Sequence, residues 1–251
     1  MDTRVADQLR LRGGHLDFIG RSHIWIDDYD RADSVQFAQF AIANALAHTA
    51  PGQLEVLVFD DALRGIAAPF QEVNSGGEKI LRHINDLQEL NETIKYLHEH
   101  VRSVLNVIQG RTDSLLDFRQ RLSPKVEGFK LVVLSTIYYL LSDEVKDKLT
   151  VLLKAGPAAG VTFLIHSMKL KVNEEILNLT QLCDVDELTV YDDDGAVRGQ
   201  FDPQSADDLI SVSRDVASAV ANAQVEPVAF SEVQPLDASW SQSSRDGISF
   251  A

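Results

Sequence analysis

Four short, almost wholly apolar runs punctuate the chain, and they restrict its fold more than anything else in it. They are His23–Ile26, Leu54–Phe59, Phe129–Leu134 and Gly160–His166, each four to seven residues long. That is strand length rather than helix length. A strand that is apolar at nearly every position has both faces covered, the condition of a parallel sheet inside an α/β domain. Segments of helical character separate the runs. Ser34–His48 is apolar nearly all round, which predicts a buried helix, and Thr49-Ala50-Pro51-Gly52 closes it. Over residues 86–109, Leu87, Leu90, Ile94, Leu97, Val101, Val104 and Ile108 recur at spacings of three and four, the stripe of a long amphipathic helix. A shorter helix is expected over 112–121. Ser142 is placed to cap another, with Asp143 and Glu144 in its first turn, where negative charge suits the helix dipole. That helix runs to Ala155 and stops at Gly156-Pro157. Leu188–Tyr191 and Ala196–Phe201 read as strands joined by a turn at Asp192-Asp193-Asp194-Gly195, and Gln204–Ala223 closes the globule as a helix. Residues 62–77, with Gly65, Pro69, Gly76 and Gly77, read as loop.

Composition limits the function classes. The 251 residues suit one large α/β domain or two small ones. Lysine and arginine number 23 against 38 acidic residues, a net charge of −15. A free-standing, non-specific nucleic-acid binder would be basic instead. No apolar run approaches the roughly 18 residues of a membrane span. The first residues, MDTRVADQLRLRGG, lack the apolar core of a secretory signal, which predicts a cytoplasmic protein. Cys183 is the sole cysteine, so neither an internal disulfide nor a cysteine-cluster zinc site is available. It follows an apolar run and is expected to be a buried small hydrophobe.

Four segments carry a resemblance. SHIWIDDYDRADSVQFAQFAIANALAHTAPGQLEVLVFD is similar to the first strand, phosphate loop, buried helix and second strand of the FtsK/SpoIIIE/HerA family of RecA-like motor ATPases. ETIKYLHEHVRSVLNVIQGRTDSLLDFRQ resembles the long helix and the short one after it, and FKLVVLSTIYYLLSDEVKDKLTVLLKAGPAAGVTFLIHS the Walker B strand, next helix and sensor-bearing strand. WSQSSRDGISF looks like the family's lead into a following motor domain. The resemblance implies an α/β, RecA-like P-loop NTPase-type fold, a mainly parallel sheet with helices on both faces. It divides the chain into a lead-in (1–20), a motor-type domain (21–224) and a linker into a following domain (225–251).

The departures bear on chemistry. An active member carries GxxxxGK[ST], whose glycines let backbone N–H groups cradle phosphate while lysine neutralises it and the hydroxyl holds Mg²⁺. Here the interval reads Asp27-Asp28-Tyr29-Asp30-Arg31-Ala32-Asp33-Ser34, without glycine or lysine. With one gap, Ser34 falls at the Mg²⁺-binding hydroxyl and Asp33 at the lysine. Two like charges about 5 Å apart repel by roughly 3 kcal/mol at an effective dielectric of about 20. Arg31 alone cannot offset several such terms. The Walker B acid is also missing, since Leu134 is followed by Ser135 and Thr136, and neither holds Mg²⁺ or accepts a proton as a carboxylate does.

Other signals have bland readings. Asn74-Ser75-Gly76-Gly77-Glu78-Lys79 looks like the signature motif of ABC and SMC-type ATPases, yet the next apolar strand lies some fifty residues on and lacks its acid, so a flexible turn opening a helix is expected. The 87–108 stripe is expected to pack in the core rather than on a partner helix. His98 and His100 are two apart and point to different faces, so both are expected in solvent. His166, where a sensor residue would sit, is expected to be a hydrogen-bonded residue at the core edge. Asp192–Gly195 lacks EF-hand spacing and reads as a hairpin turn. Asn178-Leu179-Thr180 fits a glycosylation sequon, but nothing suggests secretion.

No catalytic, cofactor-binding or metal-binding residue is therefore predicted. The resemblance implies a catalytically inactive FtsK/SpoIIIE-like module, a structural, docking or regulatory domain of a multidomain DNA-translocase-type motor. ATP and Mg²⁺ would belong to neighbouring ATPase domains of the same polypeptide. The partners would be those domains, a homo-oligomeric ring and double-stranded DNA reached through other domains. The alternative is a degenerate module of a type VII secretion-like protein-export ATPase that binds a protein partner. Arg10, Arg12, Arg21, Lys169 and Lys171 would have to share a face for this module to grip DNA itself.

Overall fold

A computed structural model describes residues 9, 11–14, 16–27, 32–61, 63–121 and 128–225. The expected linker beyond 225, the segment from Trp240 to Phe250, Arg10 and Asp28–Arg31 lie outside the described residues.

The apolar runs become the middle of an eight-stranded sheet. Its strands are β1 (His23–Ile26), β2 (Leu54–Asp60), β3 (Leu81–Ile84), β4 (Phe129–Ser135), β5 (Val161–His166), β6 (Thr180–Asp186), β7 (Thr189–Tyr191) and β8 (Val197–Gln200). Their spatial order is β3-β2-β4-β5-β1-β6-β7-β8. The first six are parallel and the last two join as antiparallel neighbours. Helix α1 (Ala32–His48) and helix α6 (Ala206–Val225) lie on one face, with a 3-10 segment over Ala68–Gly76. Helices α2 (Leu87–Ile108), α3 (Leu115–Arg121) and α4 (Asp143–Ala155) pack together on the other, and α5 (Glu174–Leu177) is a single turn before β6. The expected mainly parallel sheet with helices on both faces is borne out.

Two strands escape sequence reading. β3 is an edge strand with only its first and last residues buried, so LRHI carries no continuous apolar run. β6, TQLCDVD, alternates buried and exposed positions because it meets the antiparallel, partly open end of the sheet. The expected loop over 62–77 contains the 3-10 segment, and Asn74–Gly77 closes that segment rather than opening a helix. Three residues of this stretch, Asn74, Gly76 and Gly77, have a structural task. The Asn74 side chain accepts from the N–H groups of Ile80 and Leu81 at 2.9 Å each and donates to the Leu81 carbonyl at 2.8 Å, standing in for a ninth strand beside β3. A Cβ on Gly76 would lie 2.4 Å from the Ala217 carbonyl oxygen on α6. Gly77 takes φ +93° to end the segment.

The stripe on α2 is buried from Leu90 to Ile108, as expected, but Leu87 in the first turn is exposed to solvent; Asp86 caps the helix by accepting from Glu89 N–H at 2.8 Å. The two histidines of this helix are a correction. His100 is buried because it falls between Leu97 and Val104 on the apolar stripe. His98 is half-buried and its Nε2 bonds the Lys148 carbonyl at 3.1 Å. They do face different directions. Cys183 on β6 is buried as expected, and desolvation pushes its thiol up to about 12.

His23 starts β1 with no exposure. Its Nδ1 accepts from Phe163 N–H at 2.9 Å, so Nε2 carries the proton and donates to the Leu153 carbonyl at 2.9 Å. Burial pushes this imidazole down from 6.5 to about 4, with the Leu153 bond opposing. The fold thus favours the neutral ring. That contribution is complete above pH 6.5 and is lost as pH falls toward 4, because there the unfolded chain binds the extra proton. Between pH 7 and pH 5 the protein is expected to lose about 2 kcal/mol more stability than a His23→Gln variant. Urea unfolding at the two pH values checks this, and equal losses would remove His23 as the cause.

Candidate functional site

In an open α/β sheet the ligand crevice lies beyond the carboxyl ends of the strands where the connections diverge. Here the chain leaves β1 through α1 to reach β2 on one side, and leaves β5 through α5 to reach β6 on the other. The crevice therefore falls at the ends of β1, β4 and β5. Three polar residues converge on it. Sheet register sets His166 beside Ile26 on β1 and beside Ser135 on β4. The first turn of α1 brings Ser34 over the same point.

These residues form one chain of hydrogen bonds. Ser34 Oγ lies 2.9 Å from His166 Nε2, and Ser135 Oγ lies 3.1 Å from His166 Nδ1. All three have zero exposure. A neutral imidazole offers one N–H and one lone pair, so in that state one serine donates to the ring and the other accepts from it. The expectation that His166 is a hydrogen-bonded core-edge residue is borne out. A serine hydroxyl at that distance from an imidazole is also the geometry of an activated nucleophile. Here the hydroxyl is sealed, and the ring's other nitrogen faces the Ser135 hydroxyl.

The surrounding polar groups are tied to one another. Asp27, the first residue after β1, accepts from Lys169 N–H at 2.9 Å and turns toward the loop after β5. Thr136 Oγ1 donates to Asp61 Oδ2 at 2.6 Å. Asp60 accepts from the N–H groups of Arg64 and Gly65 at 3.1 and 2.9 Å. Trp25 Nε1 donates to the Ser167 carbonyl at 2.8 Å, and Tyr138 N–H donates to Ser167 Oγ at 2.9 Å. The Tyr138 ring is buried against Trp25, and desolvation pushes its hydroxyl up to about 12.

The nucleotide and Mg²⁺ implied by this type of fold can be tested against that donor set. Mg²⁺ takes oxygen ligands, with carboxylates and phosphates in a near-octahedral shell. Among the described residues the Ser34 hydroxyl is engaged with an imidazole, and the position after the β4 apolar run offers a serine hydroxyl instead of an acid. This set does not fit Mg²⁺–triphosphate. No group of three or more metal-ligating side chains occurs among the described residues.

The basic candidates among the described residues do not all share a face. Arg21 precedes β1 at the amino end of the sheet, whereas Lys169 and Lys171 follow β5 at the carboxyl end. Arg12 pairs with Asp202 at 2.6 Å, Arg21 with Asp17 at 2.9 Å and Lys169 with Asp193 at 3.2 Å. Asp192–Gly195 is the hairpin turn expected, with Asp192 Oδ1 accepting from the N–H groups of Asp194 and Ala196. Sequence reading did not foresee that Ser34, Ser135 and His166 meet. The available signal was a polar residue ending each of two adjacent apolar runs.

No protein-family model matches the chain, and no curated protein does. Solved structures do. ATPases 2 and 3 of EssC from Geobacillus thermodenitrificans superpose with a TM-score of 0.65 at 13% identity, over 82% of this chain and 45% of theirs. ATPases 2 and 3 of EccC from Thermomonospora curvata, in complex with a signal sequence peptide, give 0.61 at 14% identity, over 82% and 43%. The cytoplasmic domain of the type VII secretion ATPase EccC from the same organism gives 0.61 at 18% identity, over 86% and 29%. The chain spans less than half the length of each. At these identities the likeness establishes the fold, and the expected RecA-like ATPase fold is borne out. No helix among the described residues is long and apolar enough to cross a membrane.

Proposed function

We propose that this chain is a non-hydrolysing ATPase-fold module that serves as a structural, docking or regulatory domain of a larger motor. The observation that carries the reading is the buried Ser34–His166–Ser135 chain, which fills the crevice where a hydrolysing site would place its hydroxyl, metal and acid. ATP and Mg²⁺ would act in neighbouring domains of the parent polypeptide. The module would span 21–224, with 1–20 leading in and 225–251 linking onward.

Of the two settings, protein export is the better supported. The similar structures are modules of type VII secretion ATPases, and one of them holds a signal sequence peptide. The net charge of −15 and the dispersed, paired cations give a DNA-gripping surface no support. In this reading the module sits in the multidomain, ring-forming assembly at the cytoplasmic side and contacts a protein partner.

Calorimetric titration of the purified chain with Mg²⁺–ATP, paired with a phosphate-release assay, is expected to give no saturable heat and no turnover. Phosphate release that rises with Mg²⁺–ATP and that Ser34→Ala abolishes would overturn the proposal.

A further inference from the structure

The carboxyl edge that closes around His166 also sends large apolar side chains into solvent. Leu63, Leu140 and Leu170 are 88%, 68% and 58% exposed. They follow β2, β4 and β5 respectively, which are consecutive strands of the sheet. Those strands together span only roughly 10 Å. Isolated exposed leucines are ordinary, but three on adjacent loops of one edge make a surface.

The loops are bound to each other. The Thr136–Asp61 bond joins the loop after β4 to that after β2. The bond from Tyr138 N–H to Ser167 joins it to the loop after β5, where Lys171 Nζ also stands 5.1 Å from the centre of the Tyr139 ring. The ledge is preformed, so binding on it orders little chain. Leu63 and Lys171 hold left-handed backbone, φ +51° and +61°, which non-glycine residues adopt at a cost. A cavity of about 250 Å³ opens beside Leu63 and Asp60, and one of about 200 Å³ beside Tyr139 and Asp147.

Charge selects the occupant. A second copy, a nucleic acid or an anionic lipid surface would each meet a chain of net charge −15 with like charge. At the ledge itself, Asp60 and Asp147 enter no ion pair among the described residues. The cations here are engaged: Lys146, on the wall of the smaller cavity, by Asp143 at 3.4 Å and the Tyr139 carbonyl at 3.0 Å, Lys169 by Asp27 and Asp193, and Lys171, on the same wall, by the face of the Tyr139 ring. We propose that the ledge of Leu63, Leu140 and Leu170 docks a basic amphipathic segment of a partner protein, whose apolar side chains cover the leucines and whose lysines or arginines meet Asp60 and Asp147. This rests on the reading of the chain as a docking module.

The test uses the whole 251-residue chain and a labelled amphipathic peptide of leucine and lysine, about 14 residues or four helical turns. Anisotropy is expected to show saturable binding that the combined Leu63→Ser, Leu140→Ser and Leu170→Ser variant weakens at least about tenfold. Asp60→Asn with Asp147→Asn should weaken it less and flatten its salt dependence. A leucine–glutamate peptide should not bind. Unchanged binding to the triple-serine variant overturns the proposal, as does equal binding of the glutamate peptide. Sedimentation showing a dimer that the triple-serine variant dissociates also overturns it, in favour of a second copy. Nucleotide titration stands apart from these readouts, so a failed ledge leaves the non-hydrolysing reading intact.

Discussion

His166→Leu is expected to remove about 3 kcal/mol of stability, and adding Ser135→Ala to it is expected to return about 1 kcal/mol. The ring bonds the hydroxyls of both Ser34 and Ser135 in a site with no exposure. Leucine fills a similar volume but bonds neither hydroxyl. The Ser135 hydroxyl is then left without its ring partner beneath the packed loops, and a buried donor without an acceptor costs more than a hydrogen bond gains. Removing the hydroxyl removes that cost, so the double variant should be the more stable of the two. Urea midpoints at pH 7.5 or so, with slopes compared, measure both differences. A double variant less stable than His166→Leu alone would mean that the chain of bonds is incidental to the fold.

Gly76→Ala is expected to cost about 3 kcal/mol or more, whereas Gly77→Ala, one residue on, costs about 1 kcal/mol. The two glycines are required for different reasons. At Gly77 a Cβ meets nothing within 4 Å, and only the φ of +93° resists it. At Gly76 the Cβ would stand 2.4 Å from the carbonyl oxygen and 3.1 Å from the carbonyl carbon of Ala217. Those are backbone atoms of α6, so no rotamer change relieves the clash, and α6 has to lift from the 3-10 segment it packs against. Thermal unfolding of both variants tests the order. A Gly77→Ala cost equal to or above that of Gly76→Ala would show that α6 yields easily.

Gly76 also shows why a motif needs its context. Asn74-Ser75-Gly76-Gly77 has the look of a phosphate-facing signature, yet the fold uses Asn74 to cover the open edge of β3, Gly76 to admit α6 and Gly77 to end a helical segment. Nothing within the motif carries that information. It depends on Leu81 and Ala217, the second of which is far along the chain. The same holds for His100, whose burial follows from the phase of the α2 stripe rather than from its distance to His98.

The architecture was legible because it rests on local apolar pattern. His23–Ile26, Leu54–Phe59, Phe129–Leu134 and Gly160–His166 could be buried on both faces only in a covered parallel sheet, and the sheet is there. The lack of glycine and lysine over residues 27–34, and the Ser135-Thr136 pair after the third apolar run, were equally local. β3 and β6 were silent because strands at or near an open side need not be apolar throughout. Which polar groups meet at the strand ends was decided in three dimensions. The register of β4 on β5 and the landing of α1 over their ends bring Ser34, Ser135 and His166 within hydrogen-bonding distance, although 31 and 132 positions separate His166 from its two partners. Side-chain pattern specifies which surfaces a segment must bury. Which distant polar atoms then share one dry space is set by strand order and register, and those arise only when the whole sheet assembles.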